Sequence, residues 1–176
     1  MYCRLPATPK LDNGNLSESK PNKIETMKYN KIIRELSLSY AMELETVQNY
    51  IAASVNLDGV RSEVIKKALA ADVTVEVQHA QQLAARIKTI GGIVPDSLDL
   101  PRGQKSLQPK QDTTDVVAVI KGVIAAEEAA IAQYNKIIKL CEGVDYVTQD
   151  MVIEILGGEE DHRREFTGFL KEYEKR

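Results

Sequence analysis

The sequence predicts an all-α chain, a four-helix bundle with one long crossover between helices 2 and 3. Three observations carry this. Apolar residues recur in steps of three and four through four long stretches. Glycine pairs and proline-containing segments separate those stretches. Aromatics make up only 5% of the 176 residues, with no Trp, while Ala, Ile, Val and Glu are plentiful, a composition that suits helices.

The length fits one domain. Residues 1–26 are broken by Pro6, Pro9, Gly14 and Pro21 and develop no apolar period, so they are expected to form a flexible N-terminal tail ahead of a bundle over 27–176. This segment lacks the apolar core of a secretory signal, and no apolar run approaches membrane-spanning length. A net charge of −3 leaves no basic footprint for nucleic acid. Cys3 and Cys141 lie too far apart for a metal knuckle, and two cysteines make no disulfide framework. A reducing, cytoplasmic setting is the expectation.

The first helix is expected over about residues 28–56, with an inner face of Ile33, Leu36, Tyr40, Glu43, Val47, Tyr50 and Ser54, closed by Asp58-Gly59. The second, over about 62–90, carries Ile65, Leu69, Asp72, Glu76, His79, Leu83 and Ile90, with Arg86 or Ile87 between the last two; Ser62 is its expected cap and Gly91-Gly92 its stop. The short link makes these two helices antiparallel neighbours. Residues 91–113 contain Pro95, Pro101, Gly103 and Pro109 and show no period. A link of this length is explained if the third helix runs parallel to the second. A helix of about 27 residues is roughly 40 Å long, within reach of an extended link that spans roughly 70 Å.

The third helix is expected over about 114–141, with Val117, Ile120, Ile124, Glu127, Ile131, Tyr134, Ile138 and Cys141 inward and Thr113 or Thr114 as cap. The fourth, over about 147–174, places Val152, Ile155, Glu159, His162, Phe166, Phe169 and Tyr173 inward, with Thr148 as cap. Gly157-Gly158 falls inside it, against helix propensity. Close helix packing is the expected reason, and a local bulge the alternative.

Each inner face therefore contains Glu among apolar residues, and the pattern repeats. Glu43-x6-Tyr50 is followed by Glu76-x2-His79, and Glu127-x6-Tyr134 by Glu159-x2-His162. The two Glu residues of each half are 33 and 32 positions apart, and the two motifs use both histidines in the chain. Glu and His three apart share a helix face. A lone Glu-x-x-His is more often a solvated helix face. Four helices each delivering a carboxylate inward are different, because burying four uncompensated carboxylates is prohibitive and two divalent cations compensate them. The motif pair, with a Glu on each of two further helices, is the ligand pattern of bundles that hold two metal ions. Glu128, Glu160 and Asp161 fall on the flanks. Asp72 lies on the inner face, either guiding ions inward or closing the end of the bundle.

The chain resembles the ferritin-like superfamily of di-iron carboxylate proteins, and within it the bacterioferritin branch. Glu43-Leu44-Glu45-Thr46-Val47-Gln48-Asn49-Tyr50, Glu76-Val77-Gln78-His79 and the run from Asp145 to Leu156 continuing to Glu159-Glu160-Asp161-His162 carry the likeness, which covers about residues 27–176. It implies a ferritin-like four-helix bundle with Glu43, Glu76, His79, Glu127, Glu159 and His162 as ligands of two Fe ions per subunit, Mn being the alternative. Glu76 and Glu159 would bridge the ions, and Tyr50 and Tyr134 would donate hydrogen bonds to the ligands. These eight residues are the expected catalytic set. The implied activity is oxidation of Fe(II) by O2 or H2O2 for iron storage or detoxification, in a homo-oligomer that in this family can be a cage.

Three departures qualify the likeness. Bacterioferritins bind haem through a Met directly after the Glu of the first motif, and here that residue is Val77, which argues against haem. Only 14 residues follow His162, too few for the fifth helix of large ferritin cages. There is no rubredoxin-type cysteine module, and Ala130 stands where rubrerythrins carry an additional Glu. Two other functions fit the same residues: a non-storage di-metal redox enzyme of the peroxidase or manganese-catalase kind, and an interaction module with a vestigial acidic centre.

Overall fold

The computed structural model describes residues 23–175. It contains four long helices, α1 (Lys23–Asn56), α2 (Glu63–Thr89), α3 (Val116–Cys141) and α4 (Tyr146–Glu174), with short 3-10 turns at Val60–Ser62 and Lys105–Leu107. Residues 1–22 of the expected tail lie outside the described residues. Its last four, 23–26, belong to α1, because nothing after Pro21 breaks the helix before Gly59.

Helix directions follow from the contacts. Glu35 meets Lys136, Tyr50 meets Glu127, and the Asp58 N–H donates to the Thr113 carbonyl, so α1 and α3 are antiparallel. Ile32 and Leu36 share a cluster with Leu83 and Ile87, while Tyr50 and Leu57 share one with Ile65 and Leu69, so α1 and α2 are antiparallel too. Hence α2 and α3 run parallel, and 90–115 must travel the length of the bundle. No helix among the described residues is long and apolar enough to cross a membrane.

The ends behave as the punctuation predicts, with changes in the caps. Gly59 and Gly91 adopt φ of 91° and 87°, conformations that L side chains rarely adopt. Ser62 stands at the N-cap of α2 without capping it, donating its hydroxyl instead to the Gly59 carbonyl at 2.6 Å. The cap of α3 is Asp115, not Thr113 or Thr114; its carboxylate accepts from the Ala118 N–H at 3.0 Å. The cap of α4 is Asp145, not Thr148, and it accepts from the Thr148 N–H at 3.0 Å. In both cases an Asp stands three residues before the donor it satisfies.

The buried faces shift slightly from those expected. Ile32, Val116, Val123 and Ile137 are buried, while Ile33, Val117, Ile124 and Ile138 are half-buried. Apolar residues flank each stripe on both sides, so period alone cannot choose between them. The crossover is better packed than its composition suggests. Leu107 is buried against α3, and a Cβ at Gly122 would lie 2.7 Å from the Ser106 carbonyl oxygen, so the link lies against α3 where only glycine fits. Glu45 on α1 accepts from the backbone N–H groups of Gly103 at 2.8 Å and Gln104 at 3.2 Å, and Asn49 donates to the Gln104 side chain at 2.9 Å.

The core is divided in two. One apolar cluster gathers Leu57, Ile65, Leu69, Ile120 and Phe166; the other gathers Leu36, Leu83, Ile87, Ile137 and Val152. Between them lies a layer of carboxylates and imidazoles.

Candidate metal centre

Each helix supplies the layer from its middle: Glu43 from α1, Glu76 and His79 from α2, Glu127 from α3, and Glu159 and His162 from α4. The four carboxylate residues are only 1–2% exposed. They form two groups. Glu43, Glu76, His79 and Glu159 each offer a ligand atom within 4.8 Å of the others, and so do Glu76, Glu127, Glu159 and His162. Glu76 and Glu159 belong to both.

The individual atoms show how that sharing arises. Glu76 turns Oε2 to His79 Nδ1 at 3.4 Å and Oε1 to His162 Nδ1 at 3.4 Å. Glu159 turns Oε1 to His79 Nδ1 at 3.0 Å and Oε2 to His162 Nδ1 at 3.8 Å. Glu43 and Glu127 each approach one group only. Their outer sides are held crosswise: Tyr50 on α1 donates to Glu127 on α3, and Tyr134 on α3 donates to Glu43 on α1. All eight residues singled out in the sequence therefore meet in one layer.

The electrostatics are those of a cluster that could hold cations. Both oxygens of Glu76, Oε1 of Glu159 and Nδ1 of both histidines are buried without an aligned hydrogen bond. Such orphaned atoms are costly, and all of them belong to residues of the two groups that could hold a metal ion. The donor set of carboxylate oxygen and imidazole nitrogen suits Fe or Mn. Burial, with the charges of Glu76 and Glu159, pushes the Glu43 carboxyl well above its ordinary range. Burial also raises Glu127, helped by Glu159 and Glu76. Burial pushes Glu76 up as well, but the nearby imidazoles of His162 and His79 outweigh it and hold this carboxyl down. Burial disfavours charge on His79, yet Glu159 and Glu76 overcome it and push the imidazole up to about 9. His162 is raised in the same way, by Glu76 and Asp72 against burial.

A family model for the ferritin-like domain matches residues 33–175. The chain belongs to the ferritin-like domain family. A bacterioferritin from Desulfovibrio desulfuricans is 31% identical over 134 residues, covering 75% of this chain and 70% of that protein. A "DNA protection during starvation protein" from Pyrococcus furiosus is 26% identical over 144 residues, covering 80% and 77%. In structure, the bacterioferritin-related protein of Bacteroides fragilis, described as a dodecameric thioferritin, superposes with a TM-score of 0.76 at 24% identity, covering 86% of this chain and 92% of that one. The likeness of this ferritin-like chain to the bacterioferritin branch thus holds in sequence, and the bundle in structure.

Around the centre, Glu128, Glu160 and Asp161 are exposed, as their flanking positions predict. Helix α4 continues through Gly157 and Gly158 without a bulge. Neither glycine is there for backbone-close packing: a Cβ at Gly157 meets nothing, and one at Gly158 would meet the His79 ring at an ordinary 3.5 Å. Ile87, not Arg86, continues the apolar stripe of α2; Arg86 instead donates to Thr148 Oγ1 and Asp145 Oδ1, both at 2.7 Å, tying α2 to the start of α4.

The sequence reading missed two buried carboxylates, Glu35 and Glu45. Burial raises Glu35, but Lys136, Gln133 and Arg34 hold it down to about 2. Both residues lie off the inward stripe, and apart from Arg34 beside Glu35 their partners are 58 or more positions away. No local pattern marks them. The caps Asp115 and Asp145, each an Asp directly before its helix, were by contrast legible signals.

Proposed function

We propose that the chain binds two ferrous ions per subunit and oxidises them with O2 or H2O2, as a ferroxidase-type protein for iron storage or detoxification. The observation that carries this reading is the sharing of Glu76 and Glu159 between the two ligand groups. In this reading Glu43, His79 and the shared pair hold one ion, and Glu127, His162 and the shared pair hold the other. Each ferrous ion supplies one electron to the oxidant.

The residues do the rest. Glu76 and Glu159 set the spacing of the two positions, because each carboxylate reaches both. Tyr50 and Tyr134 orient Glu127 and Glu43. The two apolar clusters keep bulk water from the layer on both sides. His79, pushed up to about 9, carries a proton that must leave when Nδ1 is taken as a ligand. We further propose that copies of the chain associate. Ile51 and Val55, on one face of α1, are 48% and 72% exposed, and solvent-facing aliphatics one turn apart suit an interface between copies.

The test is an anaerobic Fe(II) titration followed by exposure to oxygen, read by absorbance and particle size. Two ions per chain, rapid oxidation and growth of a mineral particle are expected. Saturation at one ion per chain would overturn the paired site. Peroxide turnover without mineral would replace storage with a peroxidase or catalase role.

A further inference from the structure

The two halves of the site are related by the internal repeat, but one neighbour breaks the relation. Asp72 stands four residues before Glu76 on α2, one turn away on the same face. It is 8% exposed, its Oδ2 is buried without a hydrogen-bond partner, and its Oδ1 lies 3.9 Å from His162 Nε2, on the far side of the ring from Nδ1. This is not the setting of a solvated polar residue at the end of a bundle. A carboxylate this deeply buried needs a donor, and the ring nitrogen of His162, at 3.9 Å, stands about 0.7 Å beyond hydrogen-bond range. In the other half, the position four before Glu159 is Ile155, also buried. Among the described residues His79 has only Glu43, Glu76 and Glu159 as carboxylate neighbours, all approaching through Nδ1.

We propose that Asp72 is a positioning residue for His162, and that it makes the two metal positions inequivalent, the one served by His162 and Glu127 being the tighter. This deepens the di-metal reading above and rests on it. A carboxylate behind a metal-binding imidazole fixes the tautomer that leaves the ligating nitrogen free and raises its basicity. With metal bound, Asp72 would close the 3.9 Å gap and accept the Nε2 hydrogen of His162, holding Nδ1 toward Glu76 and Glu159. The His79 ring receives no such support, so its position fills second.

The test is an anaerobic Co(II) titration of the full chain beside Asp72→Ile, which copies the counterpart residue, and Asp72→Asn, which keeps the side-chain volume should the first variant not fold. The parent should bind in two steps. The tighter step should weaken about 10–100-fold in Asp72→Ile, with the other unchanged. Proton NMR of the Co(II)-loaded parent should show two shifted imidazole N–H signals. The slower-exchanging one belongs to His162, and its protection should be lost in Asp72→Ile and reduced in Asp72→Asn. Equal weakening of both steps, an unchanged isotherm, or retained N–H protection in the variants would overturn the assignment. If the parent took up no Co(II) at all, the di-metal reading would fall and this inference with it; if the parent bound two ions and the variants matched it, this inference alone would fall.

Discussion

Tyr50, on the first helix of one hairpin, donates its hydroxyl hydrogen to Glu127, on the first helix of the other, and Tyr134 returns the same bond to Glu43. The two halves of the repeat thus hold each other's terminal carboxylate. Each bond leaves its helix pair and crosses the bundle, which makes the site a property of the whole fold rather than of either hairpin.

Tyr50→Phe should therefore act on Glu127 alone. It should lower the stability of the metal-free protein by about 1 kcal/mol, the usual net value of one hydrogen bond, and weaken one metal position about tenfold. Urea unfolding beside a Co(II) titration checks both. Unchanged affinity at both positions would mean that the phenol does not orient the carboxylate.

The shared carboxylates and the histidines should separate in their effects. Glu159→Ala should remove stoichiometric binding of both ions, since its two oxygens face the two halves. His79→Ala should leave one ion bound, because His79 serves one group only. Rapid oxidation should be lost in both, since it draws an electron from each iron. Metal analysis and oxidation rate on the same purified variants decide this. Normal binding of two irons by Glu159→Ala, oxidised at the parent rate, would exclude Glu159 as a shared ligand.

The protonation pattern makes stability and metal binding respond to pH in opposite senses. Glu43 and Glu127 are raised well above the ordinary 4.5 of a Glu carboxyl, and His79 from its ordinary 6.5 to about 9. The folded metal-free protein therefore holds protons that the unfolded chain releases, so stability is lost as pH rises, from about 4.5 upward for the carboxyls and from 6.5 to about 9 for His79. Glu35 works the other way: lowered to about 2, it contributes stability that is lost only as pH falls below about 4.5. Metal-free protein should melt higher at about pH 6 than at about pH 9. Metal binding displaces the same protons, so affinity should rise over that range. Melting curves with chelator, and titrations in two buffers of different ionisation heat, measure the two trends. A metal-free melting temperature that climbs toward pH 9 would contradict the assigned proton positions.

The crossover is held by few groups and should respond to single changes. Glu45→Ala removes the acceptor for two backbone N–H groups, so amide exchange at Gly103 and Gln104 should accelerate about tenfold or more, in line with about 1–3 kcal/mol for unsatisfied buried groups. Gly122→Ala places a methyl 2.7 Å from a carbonyl oxygen of the link and should cost about 1–3 kcal/mol. Exchange unchanged in the first variant and full stability in the second would mean that the link is not anchored there.

The sequence by itself determined four helices, their order, the need for a lengthwise crossover and the composition of the acidic layer. It could do so because helix periodicity is local and because a carboxylate repeated on four apolar stripes is a strong departure from what burial permits. It did not determine which flank of each stripe faces inward: Val116 against Val117, or Ile137 against Ile138, differ only in what the neighbouring helices present. Nor could it pair Glu45 with Gly103, Glu35 with Lys136, or Asp72 with His162. These partners are far apart in the chain, and no period links them. Only the packing of the hairpins brings them within reach, and that packing also decides that Tyr50 serves Glu127 across the bundle instead of Glu43 on its own helix.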